Sequence, residues 1–183
     1  MRGDAINLGA ADQAIGRQAP RQAPLRAPLR PLYSPEERAR RDSTRWTLVQ
    51  GLLAPFQFVV FLVSLVLVLR SLTTGQGAFA ADMSVVFKTL TLYTIMITGS
   101  IWEKVVFGKW LFARAFFWED VFSMLVLALH TAYLVMLFGK IGTFEERMAV
   151  ALAGYAAYVI NAGQFLLKLR AARLQSAAME ARS

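Results

Sequence analysis

With 183 residues, 56% of them hydrophobic and only 17% charged, the chain has about one domain's length but more apolar material than a soluble domain needs, which indicates an integral membrane protein. The net charge of +8 does not indicate nucleic-acid binding, because nine of the 20 Lys and Arg residues precede residue 46 and the others flank apolar segments. Cysteine is absent and His130 is the only histidine, which excludes disulfides, cysteine-based zinc sites, iron–sulfur clusters and attached c-type haem.

The N-terminal residues 1–32 are rich in proline and arginine. Pro20, Pro24, Pro28 and Pro31 punctuate repeated Ala-Pro and Leu-Arg pairs. A segment of this composition cannot bury a core, so it predicts a disordered N-terminal tail. It lacks the apolar core of a cleavable signal peptide, and we expect it to remain attached.

A short amphipathic helix is predicted directly after the tail, before the first membrane span. Ser34 suits a helix cap, Pro35 the first helical position, and Glu37 the position three residues after the cap. The helix carries four arginines that suit an anionic membrane surface, with binding to a partner as the alternative. These arginines are Arg38, Arg40, Arg41 and Arg45.

Four apolar segments approach the ~20 residues that are needed to cross ~30 Å of hydrocarbon. They lie at residues 47–69, 84–102, 117–138 and 148–168. Because the connecting loops are short, we predict an all-α integral membrane protein whose four transmembrane helices form an antiparallel bundle. The membrane domain is expected to cover residues 33–175, followed by a C-terminal tail at residues 176–183.

The distribution of basic residues predicts the orientation of the bundle. If both termini face the cytoplasm, ten Lys and Arg residues lie near span ends on that side, against only four outside. The four are Arg70, Lys88, Lys140 and Arg147. We therefore expect a multi-pass protein with cytoplasmic N and C termini.

Three carboxylates lie where the second span ends and the third begins. Glu103 closes the second span, and Glu119 and Asp120 open the third. Ionisable residues near hydrocarbon are costly, which makes them a functional-site hypothesis. The alternative is that they lie among headgroups and water, where a charge costs little. Polar side chains within the spans, four of them named here, lie in the same half of the membrane as the carboxylates. They either form hydrogen bonds between helices or line a cavity that opens to the cytoplasm. The four are Gln57, Ser123, Asn161 and Gln164.

The third span links the carboxylates to the single histidine. Glu119, Ser123 and His130 are spaced four and seven residues apart and therefore share one helical face, with Tyr133 close beside them. His130 is either a packing and hydrogen-bonding residue or the axial ligand of a metal carried inside a substrate. The spacing does not decide between these roles.

Four runs of the sequence resemble a known family. They are QGLLAPFQFVVFLVSLVLVLR, TLYTIMITGSIWEKVVFGKWLFA, FFWEDVFSMLVLALHTAYL and YVINAGQFLLKLRAARLQ. Together they are similar to the 3-vinyl, or 2-vinyl, bacteriochlorophyllide hydratases of phototrophic bacteria, from Leu32 to Gln175. The combinations IWEK, FFWEDVFSM and LLKLRAARL are unusual for generic membrane helices.

The resemblance implies a hydro-lyase of bacteriochlorophyll biosynthesis in a bacterial cytoplasmic membrane. The enzyme would add water to the C3 vinyl group of a chlorophyllide and give a 1-hydroxyethyl group. Acid and water-positioning roles would then fall among Glu103, Glu119 and Asp120, without individual assignment. No cofactor is expected. Expected partners are a magnesium-carrying chlorophyllide substrate, the lipid bilayer and other enzymes of pigment biosynthesis, with no nucleic acid.

The remaining candidate residues would bind the pigment. His130 would approach the substrate magnesium, and aromatic side chains would pack against the flat ring; these are Tyr93, Tyr133, Tyr155, Tyr158 and nearby Phe residues. Two alternative functions are a non-catalytic tetrapyrrole carrier or photosystem assembly factor, and a small transporter or scaffold. The chain shows no internal repeat or interrupted helix pair of the kind that many transporters have.

Overall fold

A computed structural model describes residues 32–180, which form five α-helices and no strand. The helices are α1 (Pro35–Ser43), α2 (Arg45–Thr74), α3 (Ala78–Phe107), α4 (Phe117–Gly139) and α5 (Phe144–Glu180). Helix α5 continues into the region predicted as a C-terminal tail, whereas residues 181–183 and almost all of the predicted N-terminal tail lie outside the described residues.

Helix α1 begins as the sequence predicts. The Ser34 hydroxyl accepts a hydrogen bond from the Glu37 N–H at 3.1 Å, and the Ser34 N–H donates to the Glu37 carboxylate at 2.8 Å. Pro35 occupies the first helical position. Satisfying two otherwise free backbone donors fixes the start of the helix. The preceding residue, Tyr33, is buried and stacks on Phe107 at 5.7 Å, which fastens α1 to the end of α3.

Helices α2 to α5 are each long and apolar enough to cross a membrane. Short turns join them, so consecutive helices run antiparallel; Gly75 and Gly77 in the first turn adopt the left-handed conformation that glycine permits. Large apolar side chains such as Leu52, Val59 and Val66 lie on outer faces, as lipid-facing residues do. The predicted all-α membrane bundle is confirmed.

The bundle consists of two helix hairpins, α2–α3 and α4–α5, which pack more extensively within themselves than against each other. Where the hairpins meet, Phe61 of α2 contacts the rings of Tyr155 and Tyr158 of α5 at centroid distances of 5.4 and 5.1 Å. The Ser64 and Tyr155 hydroxyls also form a hydrogen bond at 2.5 Å. The seam between the hairpins is therefore partly polar.

A partly buried ionic group joins the hairpins at the end where α3 begins. The Tyr133 hydroxyl donates to the Asp82 carboxylate at 2.6 Å, and the Arg147 guanidinium lies 3.6 Å from the other Asp82 oxygen. The three side chains come from α3, α4 and α5, so their contacts fix the relative positions of these helices. The carboxylates singled out from the sequence lie at the other end of the bundle.

Candidate functional site

The site is built at the end of the bundle where α3 finishes and α4 starts, which we call the carboxylate end. Glu103 lies in the last two turns of α3 and Asp120 in the first turn of α4. Both are buried, with 5% and 4% of their surfaces exposed, and their side chains lie within hydrogen-bonding reach of each other. The structure therefore brings these two predicted residues together as a carboxyl pair.

Each member of the carboxyl pair also holds the loop between α3 and α4. The Ala113 N–H donates to Glu103 at 3.2 Å, and the Phe112 N–H donates to Asp120 at 2.8 Å. Phe112 has a φ of 58°, which costs a bulky residue about 1–2 kcal/mol. The carboxyl pair thus stabilises a strained loop as well as presenting an acidic group.

Glu119, the third predicted carboxylate, has a different partner. It forms an ion pair with Lys168 of α5 at 2.5 Å, and its carboxylate is largely buried. Glu119 and Lys168 both lie close enough to Asp120 to act on its charge. The ion pair therefore joins α4 to α5 beside the carboxyl pair.

The polar residues of the same half lie next to the carboxyl pair. The Asn161 side-chain N–H donates to the Ser123 hydroxyl at 2.8 Å, which joins α5 to α4 one turn above Asp120. The side-chain oxygens of Asn161 and Gln164 are buried and have no hydrogen-bond partner among the described residues. Such oxygens are suited to accepting hydrogen bonds from water or a ligand.

His130 lies farther along α4, where it faces Tyr155 of α5, and is 1% exposed. Its Nδ1 is 2.8 Å from the Val126 carbonyl oxygen, a contact that requires Nδ1 to carry the proton. Nε2 is then a bare acceptor, and it has no partner in the described part of the chain. Gly154 makes room for the ring, since a Cβ there would lie 3.0 Å from His130 Nδ1 and Cε1.

The predicted ring-packing residues are spread along the bundle. The Tyr93 hydroxyl is hydrogen-bonded to Thr131 at 2.8 Å, and Tyr133 is engaged with Asp82 at the far end. Tyr158 lies at the seam beside Phe61. Gln57, one turn before Phe61 on the same side of α2, is buried, and its side-chain nitrogen lacks a partner within residues 32–180.

Sequence reasoning missed Lys88, which it counted among the charges outside the membrane. The structure buries Lys88 completely within the bundle, with Nζ 3.9 Å from the centre of the Tyr158 ring. A signal was present, since Ala81, Val85, Lys88 and Leu92 follow the helical spacing of one buried face.

An aromatic cluster covers the carboxylate end. It packs around the α3–α4 loop and comprises Tyr33, Trp102, Phe107, Phe116 and Phe165. Burial raises the pKa of the Tyr33 phenol above its ordinary value, with the Arg41 guanidinium acting in the opposite direction. Tyr33 is therefore a neutral part of the cluster at physiological pH.

The fold and the site together define a polytopic helical membrane protein with a buried carboxyl pair and an open imidazole nitrogen. The family model for 2-vinyl bacteriochlorophyllide hydratase matches residues 33–171. The Rhodobacter capsulatus protein of that name is 66% identical over 151 residues, covering 82% of this chain and 87% of the relative. Its Cereibacter sphaeroides counterpart is 65% identical over 150 residues, covering 81% and 92%. No solved structure matches.

The chain belongs to the 2-vinyl bacteriochlorophyllide hydratase family. This membership confirms the resemblance seen in the four sequence runs, and with it the expectation of an enzyme.

Proposed function

We propose that this chain catalyses the addition of water to the vinyl group of a bacteriochlorophyllide-type pigment, giving a 1-hydroxyethyl group. The names of its relatives support the substrate and the reaction. The structural observation that carries the chemistry is the buried pair of Glu103 and Asp120. A hydrogen bond between two carboxyl groups needs a proton on one of them, because two carboxylates repel and neither can donate.

The pair is suited to both proton transfers of the reaction. The protonated carboxyl gives its proton to the terminal vinyl carbon: the O–H bond breaks, the π electrons of the C=C bond form the new C–H bond, and a cation remains at the carbon beside the macrocycle. Conjugation with the ring stabilises that cation. A water molecule bonds to it and returns one proton to the pair, so the only net change is the gain of one water. General acid–base catalysis of this kind contributes about 10²- to 10⁴-fold.

The division of roles among the three predicted carboxylates follows from their partners. Glu103 and Asp120 hold the transferable proton, while the ion pair with Lys168 leaves Glu119 as a positioning residue. The unpartnered oxygens of Asn161 and Gln164 lie on the same side of α5 and are placed to accept hydrogen bonds from the attacking water. Ser123 holds Asn161 in that position.

His130 is the proposed contact to the magnesium of the substrate. Its bare, buried Nε2 has the form of the neutral imidazole that binds metals. Ten residues separate it from Asp120, a helical rise of about 15 Å between their Cα atoms. Because the magnesium lies at the centre of the macrocycle, the two side chains and half the width of the ring together would bridge this distance. Tyr93, Tyr133 and Tyr158 line that seam as contacts for the ring.

The proposed location is a bacterial cytoplasmic membrane, with both termini and the carboxylate end facing the cytoplasm. The excess of basic residues around this end supports that orientation. Water then reaches the carboxyl pair from the cytoplasm while the pigment enters from the bilayer. Other enzymes of pigment biosynthesis remain proposed partners that supply the vinyl substrate or take up the hydroxyethyl product.

The open imidazole nitrogen also favours a second function, non-catalytic binding of a magnesium tetrapyrrole. Purified protein in lipid nanodiscs, incubated with vinyl chlorophyllide and followed by mass spectrometry, distinguishes the two. Hydration predicts a product heavier by one water, with turnover beyond one product per protein. Tight pigment binding without any mass gain would establish the carrier function instead. The matched control is the double variant E103Q/D120N in the same lipid.

A further inference from the structure

Lys88 is a buried lysine that has no acidic partner among the described residues. It lies inside α3 and is fully buried, and its Nζ makes no hydrogen bond with any described residue. Its contact with the Tyr158 ring, at 3.9 Å, places Nζ at the seam between the hairpins. A protonated lysine offers three N–H donors and is rarely buried unless it is paired.

Two other lysines near the proposed site, Lys168 and Lys104, are already engaged. Lys168 is paired with Glu119, and Lys104 is exposed and donates to the Gly108 carbonyl at 3.0 Å. These two are therefore poorly placed to receive a further anion. Lys88 differs in combining full burial with an open amino group.

A second open donor lies at the same seam. Phe61 of α2 contacts Tyr158, and Gln57 lies one turn away on the same side of α2, with its buried side-chain nitrogen also unpartnered. Lys88 also lies near His130 of α4. Donors from two helices, beside an imidazole with a bare Nε2, form a group of unpartnered polar atoms at the seam between the hairpins.

We propose that Lys88 binds the free propionate carboxylate of the pigment, with Gln57 as a second donor to it. This inference rests on the proposed function, because the substrate class supplies the anion. Pairing with a carboxylate compensates the cost of a buried lysine, since each group then meets an opposite charge. An esterified pigment lacks this anion, so Lys88 selects pigments that carry a free acid.

The spacing along the bundle agrees with one bound pigment. Tyr158 lies one turn from Asn161, which is bonded to Ser123, and Ser123 lies one turn from Asp120. Along α3, Lys88 and Glu103 are separated by a rise of about 22 Å between their Cα atoms, and the lysine and carboxyl side chains both extend into that gap. The vinyl group and the propionate are attached to neighbouring rings of the macrocycle, so one pigment can reach both places.

The test compares binding of vinyl chlorophyllide and of its propionate methyl ester to the full chain in nanodiscs, by pigment absorbance. Wild type is expected to bind the free acid about thirtyfold more tightly than the ester, and Lys88→Met to lose most of that preference through weaker binding of the acid alone. Lys104→Met, an exposed lysine of the same helix, is expected to keep it.

Stability separates this role from a structural one. Lys88→Met removes an unpaired buried polar group and keeps most of the side-chain length, so its thermal unfolding temperature should equal or exceed that of wild type. A lower unfolding temperature with the acid preference retained would overturn the proposal. So would a wild-type protein that binds acid and ester equally, a comparison that needs no variant.

The binding assay does not depend on turnover, so the carboxylate site and the hydratase function can fail independently. A wild-type protein that discriminates through Lys88 but never hydrates the pigment would overturn the hydratase proposal and support the carboxylate site. If the wild type hydrates the pigment and Lys88→Met keeps the full preference for the free acid, the hydratase proposal is supported and the carboxylate site is overturned.

Discussion

Replacing either member of the carboxyl pair by its amide should abolish proton transfer while preserving the fold. In Glu103→Gln and Asp120→Asn the side-chain oxygen can still accept the loop N–H, of Ala113 or Phe112, and the new N–H₂ can donate to the remaining carboxylate. The hydrogen bond between the two side chains therefore survives, but it no longer contains a proton that the vinyl group can take.

The expected loss follows from the contribution of general acid catalysis. Turnover should fall about 10²- to 10⁴-fold in either variant, equivalent to about 3–5 kcal/mol of transition-state stabilisation. Because both residues share one proton, the double variant should be scarcely slower than the slower single variant. The assay is initial-rate hydration of vinyl chlorophyllide in nanodiscs, with pigment binding and thermal unfolding measured on the same samples.

The contrasting variant is Asp120→Ala, which removes the acceptor for the Phe112 N–H. Leaving that donor without a partner should lower the free energy of unfolding by about 1–3 kcal/mol, whereas Asp120→Asn should change it little. The reasoning is refuted if both amide variants fold normally and hydrate the pigment at near wild-type rates. Strictly additive losses would refute the shared proton.

Three further predictions test the surrounding contacts. Glu119→Gln should lower the free energy of unfolding by about 1–3 kcal/mol, because it leaves the partly buried Lys168 without its anionic partner. Turnover should stay well above that of Glu103→Gln; rates equal to Glu103→Gln would make Glu119 an acid. Gly154→Ala should cost about 1–3 kcal/mol by crowding the His130 ring, and should weaken binding of magnesium pigment more than of its metal-free analogue. Tyr133→Phe should lower the free energy of unfolding by about 1–3 kcal/mol, measured by thermal unfolding, because it removes the hydrogen bond to its aspartate partner.

The helices and the family could be predicted because both depend on local sequence. Lengths of apolar segments identify membrane spans directly, since the bilayer sets a minimum length. The start of α1 was equally local, because the cap at Ser34 and the returning bond from Glu37 involve residues three apart. The family runs are contiguous and need no knowledge of tertiary contacts.

The partners within the site could not be predicted, because they depend on which helix faces which. The sequence grouped Glu103, Glu119 and Asp120 as one patch, yet Glu119 turns to Lys168 of α5, about 50 residues away, and leaves the other two as a pair. Lys88 was misplaced for a related reason. A lysine near the end of a span usually reaches the membrane surface, and only the packing of α5 shows that this one is enclosed.

The central claim is that the protein itself delivers a proton and a water to the vinyl group. The most direct measurement is single-turnover reaction of purified protein with vinyl chlorophyllide in D₂¹⁸O, with the product mapped by mass spectrometry and NMR. We predict ¹⁸O on the carbon beside the macrocycle and one deuterium on the terminal methyl group, both absent with E103Q/D120N. A hydroxyethyl product lacking ¹⁸O, or formed equally well by the double variant, would contradict the account.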